Sequence, residues 1–325
     1  MLIQRLKTRL HPHRRWLVLG FSTALTLGAL FFVFRSVDRA TFAQLLVAQN
    51  RGLLIAAALF TFLQIILGAE RWRAILSAFK DGQSLAMLKV QSVYYSSVFF
   101  NCLPFGNLGG DFVRIWLARK FALSIKQLVL SVVLDRIITV GALLILAVAT
   151  LPSIASPLAT TVWFVSAAFL AVGIAGLLLL RPVESLLGRW RHQRLIYSLT
   201  QSAEELRFLV RHGGLSSLAY ALASAFCAVL TAYCILCSLR IGIEFMQMIA
   251  VASVVTFVSA LPISLAGWGI REISYVTLLG MLGIDREAAL LVSVEIGILA
   301  TLMSLPGGVI WLSLGEHRQA GLPIK

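Results

Sequence analysis

Three observations predict an all-α, polytopic integral membrane fold. Only 13% of the 325 residues are charged while 59% are apolar or aromatic, against about 25% charge in an ordinary soluble domain. So few charges cannot solvate the surface of a soluble fold of this length, whereas lipid accepts apolar faces. Several apolar runs reach the roughly 20 residues that a spanning helix needs. Lys and Arg gather between those runs, as the positive-inside rule expects. The formal net charge of +14 is therefore read as loop charge that can also attract anionic lipid. No basic recognition helix or RNA-binding motif is visible, so nucleic acid is not an expected partner.

The elements follow in chain order. Arg5, Lys7, Arg9, Arg14 and Arg15 precede an apolar run from Trp16 to Phe34. A signal peptide has a core of about 7–15 apolar residues and a small-residue cleavage site. This run is longer and ends at Arg35, so it predicts an uncleaved span with a cytoplasmic N-terminus. A second span is predicted over Leu53 to Ala69, closed by Glu70, Arg71, Trp72 and Arg73 as an interfacial anchor. Further spans are predicted over Gln127–Leu151, Leu158–Leu180, Leu215–Leu239 and Ala288–Leu314, six in all. The basic segment Arg181 to Arg211 predicts a cytoplasmic loop with an amphipathic helix around Ser198 to Val210. Arg114, Arg119, Lys120 and Lys126 place another loop inside, and the uncharged link Pro152 to Pro157 falls outside. Arg35, Arg39 and Arg51 run against this scheme. Both termini are expected in the cytoplasm of a cell with an inner membrane.

Two apolar stretches, 84–113 and 246–282, are broken in the middle by Pro and Gly. The breaks read LPFGNLGGDFVR (Leu103 to Arg114) and LPISLAGWGIRE (Leu261 to Glu272). A shift of 158 positions lays Leu103, Pro104 and Gly109 on Leu261, Pro262 and Gly267. Arg114 and Arg271 close the two breaks one position out of register. Loop charge puts both ends of the first stretch in the cytoplasm, and three full spans separate it from the second. An odd number of spans inverts orientation, so two re-entrant hairpins in an inverted repeat are expected, a transporter arrangement. The competing reading makes Leu85 to Leu103 a full span.

Irregular backbone at membrane depth must be buried in protein or line a wet cavity. Gly109-Gly110 and Gly267-x-Gly269 are read as turns that expose amides at the start of a half-helix, where dipole and free N–H donors suit an anion. Arg114 and Arg271 add guanidinium forks. Asp111 is read as an N-cap or as a partner of Arg114 at i,i+3. Asp135, Arg136 and Glu295 lie inside spans and Glu272 adjoins Arg271; intramembrane charge is functional by default. Asp135 and Arg136 point about 100° apart on a helix and need not pair with each other. Arg71 lies where an anchor and a site are equally expected. The candidate substrate-binding set is therefore Arg71, Gly109, Gly110, Asp111, Arg114, Asp135, Arg136, Gly267, Gly269, Arg271, Glu272 and Glu295.

No enzyme is expected. The five histidines sit in basic tails and loops, and no metalloprotease, P-loop, nucleophile-elbow or dinucleotide fingerprint occurs. No cofactor and no metal are predicted. Cys234-x-x-Cys237 matches a redox pair in spacing alone, without the strand context or a second pair.

AERWRAIL (Ala69 to Leu76), the NCLPFGNLGGDFVR break, the intramembrane LDRI (Leu134 to Ile137) and LPISLAGWGIRE together resemble the lysylphosphatidylglycerol synthase transmembrane-region family, also called flippase-like or UPF0104 proteins. The resemblance covers nearly the whole chain. In larger relatives this region flips an aminoacylated phospholipid made by an attached cytosolic synthase domain. The present sequence runs to Lys325, shortly after its last predicted span, so the resemblance implies the translocation half without the aminoacyl-transfer half. Other family members are associated with hopanoid or polyprenyl-glycolipid pathways. The expected function is movement of a phospholipid or another anionic or polyprenyl-linked lipid between leaflets, with a lipid-synthesis enzyme as a possible partner. The alternative is a non-transporting scaffold for a lipid-modifying or glycosyltransferase enzyme.

Overall fold

The structure, a computed structural model, describes residues 38–79, 85–102, 106–187, 194–260 and 267–319, with backbone alone at 39, 43, 106–108, 176–187, 194–213 and 314–319. The expected first span, Trp16 to Phe34, lies outside the described residues, as do Leu103, Pro104, Leu261 and Pro262. Ten α-helices and no strand occur among the described residues, so the fold is all-α. Five segments are long and apolar enough to cross a membrane: Arg51–Ala78, Ile125–Ser153, Pro157–Ala175, Gly214–Ser238 and Arg286–Ser313.

The short helix α1 (Arg39–Ala48) starts where the Asp38 carboxylate accepts the Ala40 and Thr41 amides. Helix α2 (Arg51–Ala78) starts at Asn50, whose side chain caps Gly52 and Leu53. Its sequence expectation, a span ending at Ala69, is corrected: the helix runs unbroken past Arg71 to Ala78. Arg71 is 5% exposed, because a carboxylate from another helix meets it and the charge no longer has to reach an interface. Next come α3 (Met87–Asn101), α4 (Gly106–Ala118) and α5 (Ile125–Thr150), the last opened by a reciprocal Ser124–Gln127 capping box. Helices α6 (Pro157–Leu187), α7 (Arg194–Ser238), α8 (Phe245–Ala260), α9 (Ile270–Gly280) and α10 (Arg286–Gln319) complete the order. The segment expected to form a separate amphipathic helix is continuous with the following span in α7.

Antiparallel α2 and α7 form the centre. The Asn50 amide donates to the Ser238 carbonyl at 3.1 Å, the Thr61 and Thr231 hydroxyls lie 3.3 Å apart, and Ser224 Oγ donates to the Gln64 carbonyl. The shift of 158 residues that aligned the two breaks also lays 87–101 on 245–259, that is, α3 on α8. The packing repeats with it. Helix α3 packs on α10 while α8 packs on α5; α2 packs on α3 and α5 while α7 packs on α8 and α10. Two similar four-helix sets thus embrace each other around the α2–α7 pair.

Each set contains one helix–break–helix unit. In the first, Gln91 reaches Glu70, and Phe121, just past α4, lies 6.4 Å from the Trp72 ring, so both ends of the unit lie beside the C-terminal third of α2. The end of α3 approaches the middle of α10, where Cys102 Sγ is 4.0 Å from the Ala300 carbonyl. In the second unit, Trp268 and Arg271 border Gly297, also mid-α10, while the Ser156 hydroxyl reaches Met281 beyond its far end. The helix over the first stretch stops at Asn101, and the next helix, starting at Gly106, packs against it. Two apolar clusters hold the frame: Trp72, Leu76, Val90, Val93 and Leu128 around the first unit, and Ile235, Leu236, Met248, Val251 and Leu279 around the second.

Candidate functional site: an arginine-lined cavity between the two broken units

The first unit places a charge network in an apolar setting. Asp135, on α5, is 1% exposed and accepts from two guanidiniums, Arg71 Nε at 2.6 Å and Arg114 Nη1 at 2.8 Å. Asp111, three residues before Arg114 on α4, accepts from Arg114 Nη2 at 3.1 Å and from Arg136 at 2.9 and 3.1 Å. Asp135 and Arg136 therefore serve different partners, as adjacent helical positions require. Arg114 is 2% exposed and lies over the Tyr94 ring at 4.8 Å and the Trp72 ring at 5.2 Å. The Trp72 indole N–H in turn donates to Ser131 Oγ at 3.1 Å. Burying one unpaired charge is costly, and a carboxylate shared between guanidiniums offsets most of that cost.

The second unit carries one guanidinium. Gly267 and Gly269 have φ of +82° and +87°, a left-handed region that favours glycine. The turn they make delivers Arg271 as the second residue of α9. Glu272, fully buried, accepts the Gly269 amide, the Ser293 hydroxyl at 3.0 Å and Arg271 Nη2 at 2.8 Å. Arg271 also donates from Nε to Ser293 Oγ at 3.2 Å and stacks over Trp268 at 4.6 Å. The shift of 158 lays Asp135 on Ser293. Where the first half bridges its arginines with a carboxylate, the second has a hydroxyl, and Glu272 supplies the charge from beside Arg271.

Both halves open on one cavity of ≈ 290 Å³, whose lining includes Arg71, Arg114, Arg136, Arg271, Asp135 and Asn101. Arg114 and Arg271 both line it although 157 positions separate them in the chain. Buried Arg114 Nε and Asn101 Oδ1 have no hydrogen-bond partner among the described residues. Arg136 is the most exposed of the four guanidiniums, with 34% of its side chain accessible.

Several sequence expectations are corrected in detail. Gly109 and Gly110 do not form the turn; they lie inside α4, which begins at Gly106. A Cβ on Gly110 would fall 2.3 Å from the Ser97 carbonyl oxygen, so its role is the close approach of α3 and α4. Asp111 is consequently mid-helix rather than an N-cap, and Arg114 sits in the third turn rather than at the helix start. At the start of α9 the Gly269 amide is held by Glu272, so that amide is not free to meet an anion. Glu272 is sealed behind Arg271 instead of lining the cavity. Glu295 is also apart from it: one oxygen accepts from Gln49 Nε2 and the other is buried without a partner among the described residues.

Trp72, Tyr94, Trp268, Asn101 and Ser293 belong to the site and were not among its sequence candidates. Trp268 lies within the second motif and Ser293 is the shifted counterpart of Asp135, so both left a trace in the sequence. Asn101 opens the NCLPFGNLGGDFVR motif; Tyr94 left no trace, since it joins the site only where α3 crosses its neighbours. No curated protein matches the chain. The model of the lysylphosphatidylglycerol synthase TM region matches residues 17–308, a range that contains all four arginines and both broken units. By that match the chain belongs to the lysylphosphatidylglycerol synthase transmembrane-region family.

Proposed function

We propose that this membrane protein moves a phosphate-bearing lipid between the two leaflets, with no ATP hydrolysis in this chain and no chemical change to the lipid. One observation carries the reading. Four guanidiniums from both halves of the repeat line a single cavity, and three carboxylates, Asp111, Asp135 and Glu272, neutralise them incompletely. The balance is one positive charge, opposite to that of a phosphodiester. Planar guanidinium forks match phosphate oxygens in pairs. The headgroup crosses through the polar cavity while the acyl or prenyl tails stay in the bilayer, so apolar chains are never desolvated and charge is never exposed to lipid.

In this reading the two broken units are re-entrant hairpins of an inverted repeat, entering from opposite sides and meeting at mid-membrane. The protein sits in the cell inner membrane with both termini and the Arg181–Arg211 segment cytoplasmic. A cysteine at Ser153 and one at Ser198 then label from opposite sides; labelling from one side refutes the orientation. A lipid-synthesis enzyme is the natural supplier of substrate. Purified protein in liposomes should bring a tail-labelled phosphatidylglycerol from the inner leaflet to an impermeant quencher outside. A scaffold, the alternative role, leaves the inner-leaflet label protected.

A further inference from the structure

A second cavity of ≈ 190 Å³ adjoins the first, and the two share Thr61, Gln64, Arg271 and Ala300 in their linings. Arg271 therefore stands at their junction. The two linings differ in chemistry. The first is dominated by guanidiniums. Among the described residues the second has Arg271 as its sole charged group, and its remaining polar lining is hydroxyl or amide: Thr61, Thr231, Thr256, Ser259, Tyr275 and Gln64.

Three of these hydroxyls are already engaged. Thr61 donates to the Ala57 carbonyl, Thr231 to Cys227 and Thr256 to Ala252, each on its own helix. Ser259 Oγ is buried with no hydrogen-bond partner among the described residues. A buried hydroxyl left unpaired is disfavoured, and an unpaired one facing a cavity indicates a visiting partner. The volume equals about six water molecules at about 30 Å³ each, enough for a small polyol. A cationic headgroup finds nothing to hold it here. The nearby carboxylate, Glu272, is committed to Arg271, Ser293 and the Gly269 amide.

Resting on the translocation reading above, we infer that the second cavity receives a neutral polyhydroxyl extension of the headgroup beyond its phosphate. Arg271 holds the phosphate at the junction while glycerol or sugar hydroxyls take up the Ser259, Tyr275 and Gln64 groups. The substrate class is thus a polyol phosphodiester lipid, rather than a bare phosphomonoester or an amine-terminated lipid.

The test uses the full chain in proteoliposomes carrying the same fluorescent tail on phosphatidylglycerol, phosphatidic acid or phosphatidylethanolamine. Sites built to hydrogen-bond a hydroxyl discriminate against analogues that lack it, and two such bonds correspond to about tenfold. Phosphatidylglycerol should move about tenfold faster than either of the others. Ser259→Ala and Tyr275→Phe, together or singly, should lower the phosphatidylglycerol-to-phosphatidic-acid ratio toward one. Equal rates for the three lipids in the native protein, or faster phosphatidylethanolamine, overturn this inference and leave translocation standing. A ratio unmoved by either variant also overturns it. Movement of none of the three overturns the translocation reading and this one with it. The native-protein comparison stands alone should a variant fail to fold.

Discussion

Replacing Asp135 by Asn tests the charge network at its most connected point. The carboxylate receives Arg71 Nε and Arg114 Nη1 within 2.8 Å and is 1% exposed. The carboxamide has nearly the same shape, so packing changes little. Its oxygen accepts from one guanidinium, but its NH2 confronts the other, and two buried cations share one fewer negative charge. Removing one partner of a buried ion pair costs about 3–5 kcal/mol. Asp111 still accepts from Arg114, which directs the expectation to the lower end, about 3 kcal/mol. Among the described residues Arg71 has no second carboxylate partner; its other donor contact is Nη2 to the Tyr94 hydroxyl at 3.4 Å. Adding Arg71→Gln to Asp135→Asn removes the orphaned charge, so the double variant should be less destabilised than the two single effects summed, by about 0.5–3 kcal/mol of coupling. Equilibrium unfolding in mixed micelles, followed by tryptophan fluorescence, measures all three. A single variant within about 0.5 kcal/mol of the native protein, the range of ordinary surface changes, would refute the argument that Asp135 holds the arginines.

Other predictions concern recognition and local order. Arg114→Lys and Arg271→Lys keep the charge but lose the planar fork; each should slow lipid movement in proteoliposomes about tenfold, and the double change should be less than multiplicative if both bind one headgroup. Gly297→Ala puts a methyl where a Cβ would lie 2.3 Å from Arg271 Nη2 and 2.9 Å from the Trp268 ring. The guanidinium end is flexible and moves aside, so transport should fall several-fold while the unfolding free energy changes by less than about 1 kcal/mol; loss of stability without loss of transport refutes the placement. Asp38 titrates below its ordinary value because the Thr41 hydroxyl and the Ala40 and Thr41 amides donate to its carboxylate. A depressed folded value stabilises the helix start above the unfolded value and is lost as pH falls through the folded one. Amide-exchange protection factors at Ala40 and Thr41 should therefore drop below pH about 4 in the native protein but show no such step in Asp38→Ala.

The sequence by itself determined the class of this fold and the whereabouts of its breaks. Charge sparsity and apolar runs of spanning length leave only helices in lipid, because a bilayer satisfies no free backbone group. Pro-Gly punctuation within apolar stretches located both broken units, and the matching Leu-Pro pairs revealed the shift that α3 and α8 obey. Arg114, Asp135, Arg136 and Arg271 stood out because charge is rare inside such runs. Partner choice was another matter. Nothing local distinguishes Arg71, which binds Asp135 across two helices, from Arg73, which reaches back one turn to Glu70. The two differ by the side of α2 they occupy, and only packing says which side is buried. Asp111 and Glu272 look alike beside their arginines, yet one bridges two guanidiniums and the other is sealed beneath a single one. The glycines of the first motif mark helix contact and those of the second mark a turn, since a glycine is selected both for left-handed φ and for the space its missing Cβ leaves. The repeat already implied a shared site for Arg114 and Arg271; tertiary structure alone decided which neighbours line their cavity, and that a hydroxyl-lined chamber lies behind one of them. Those facts depend on where helices cross, and crossing is a property of complementary surfaces rather than of any segment's own residues.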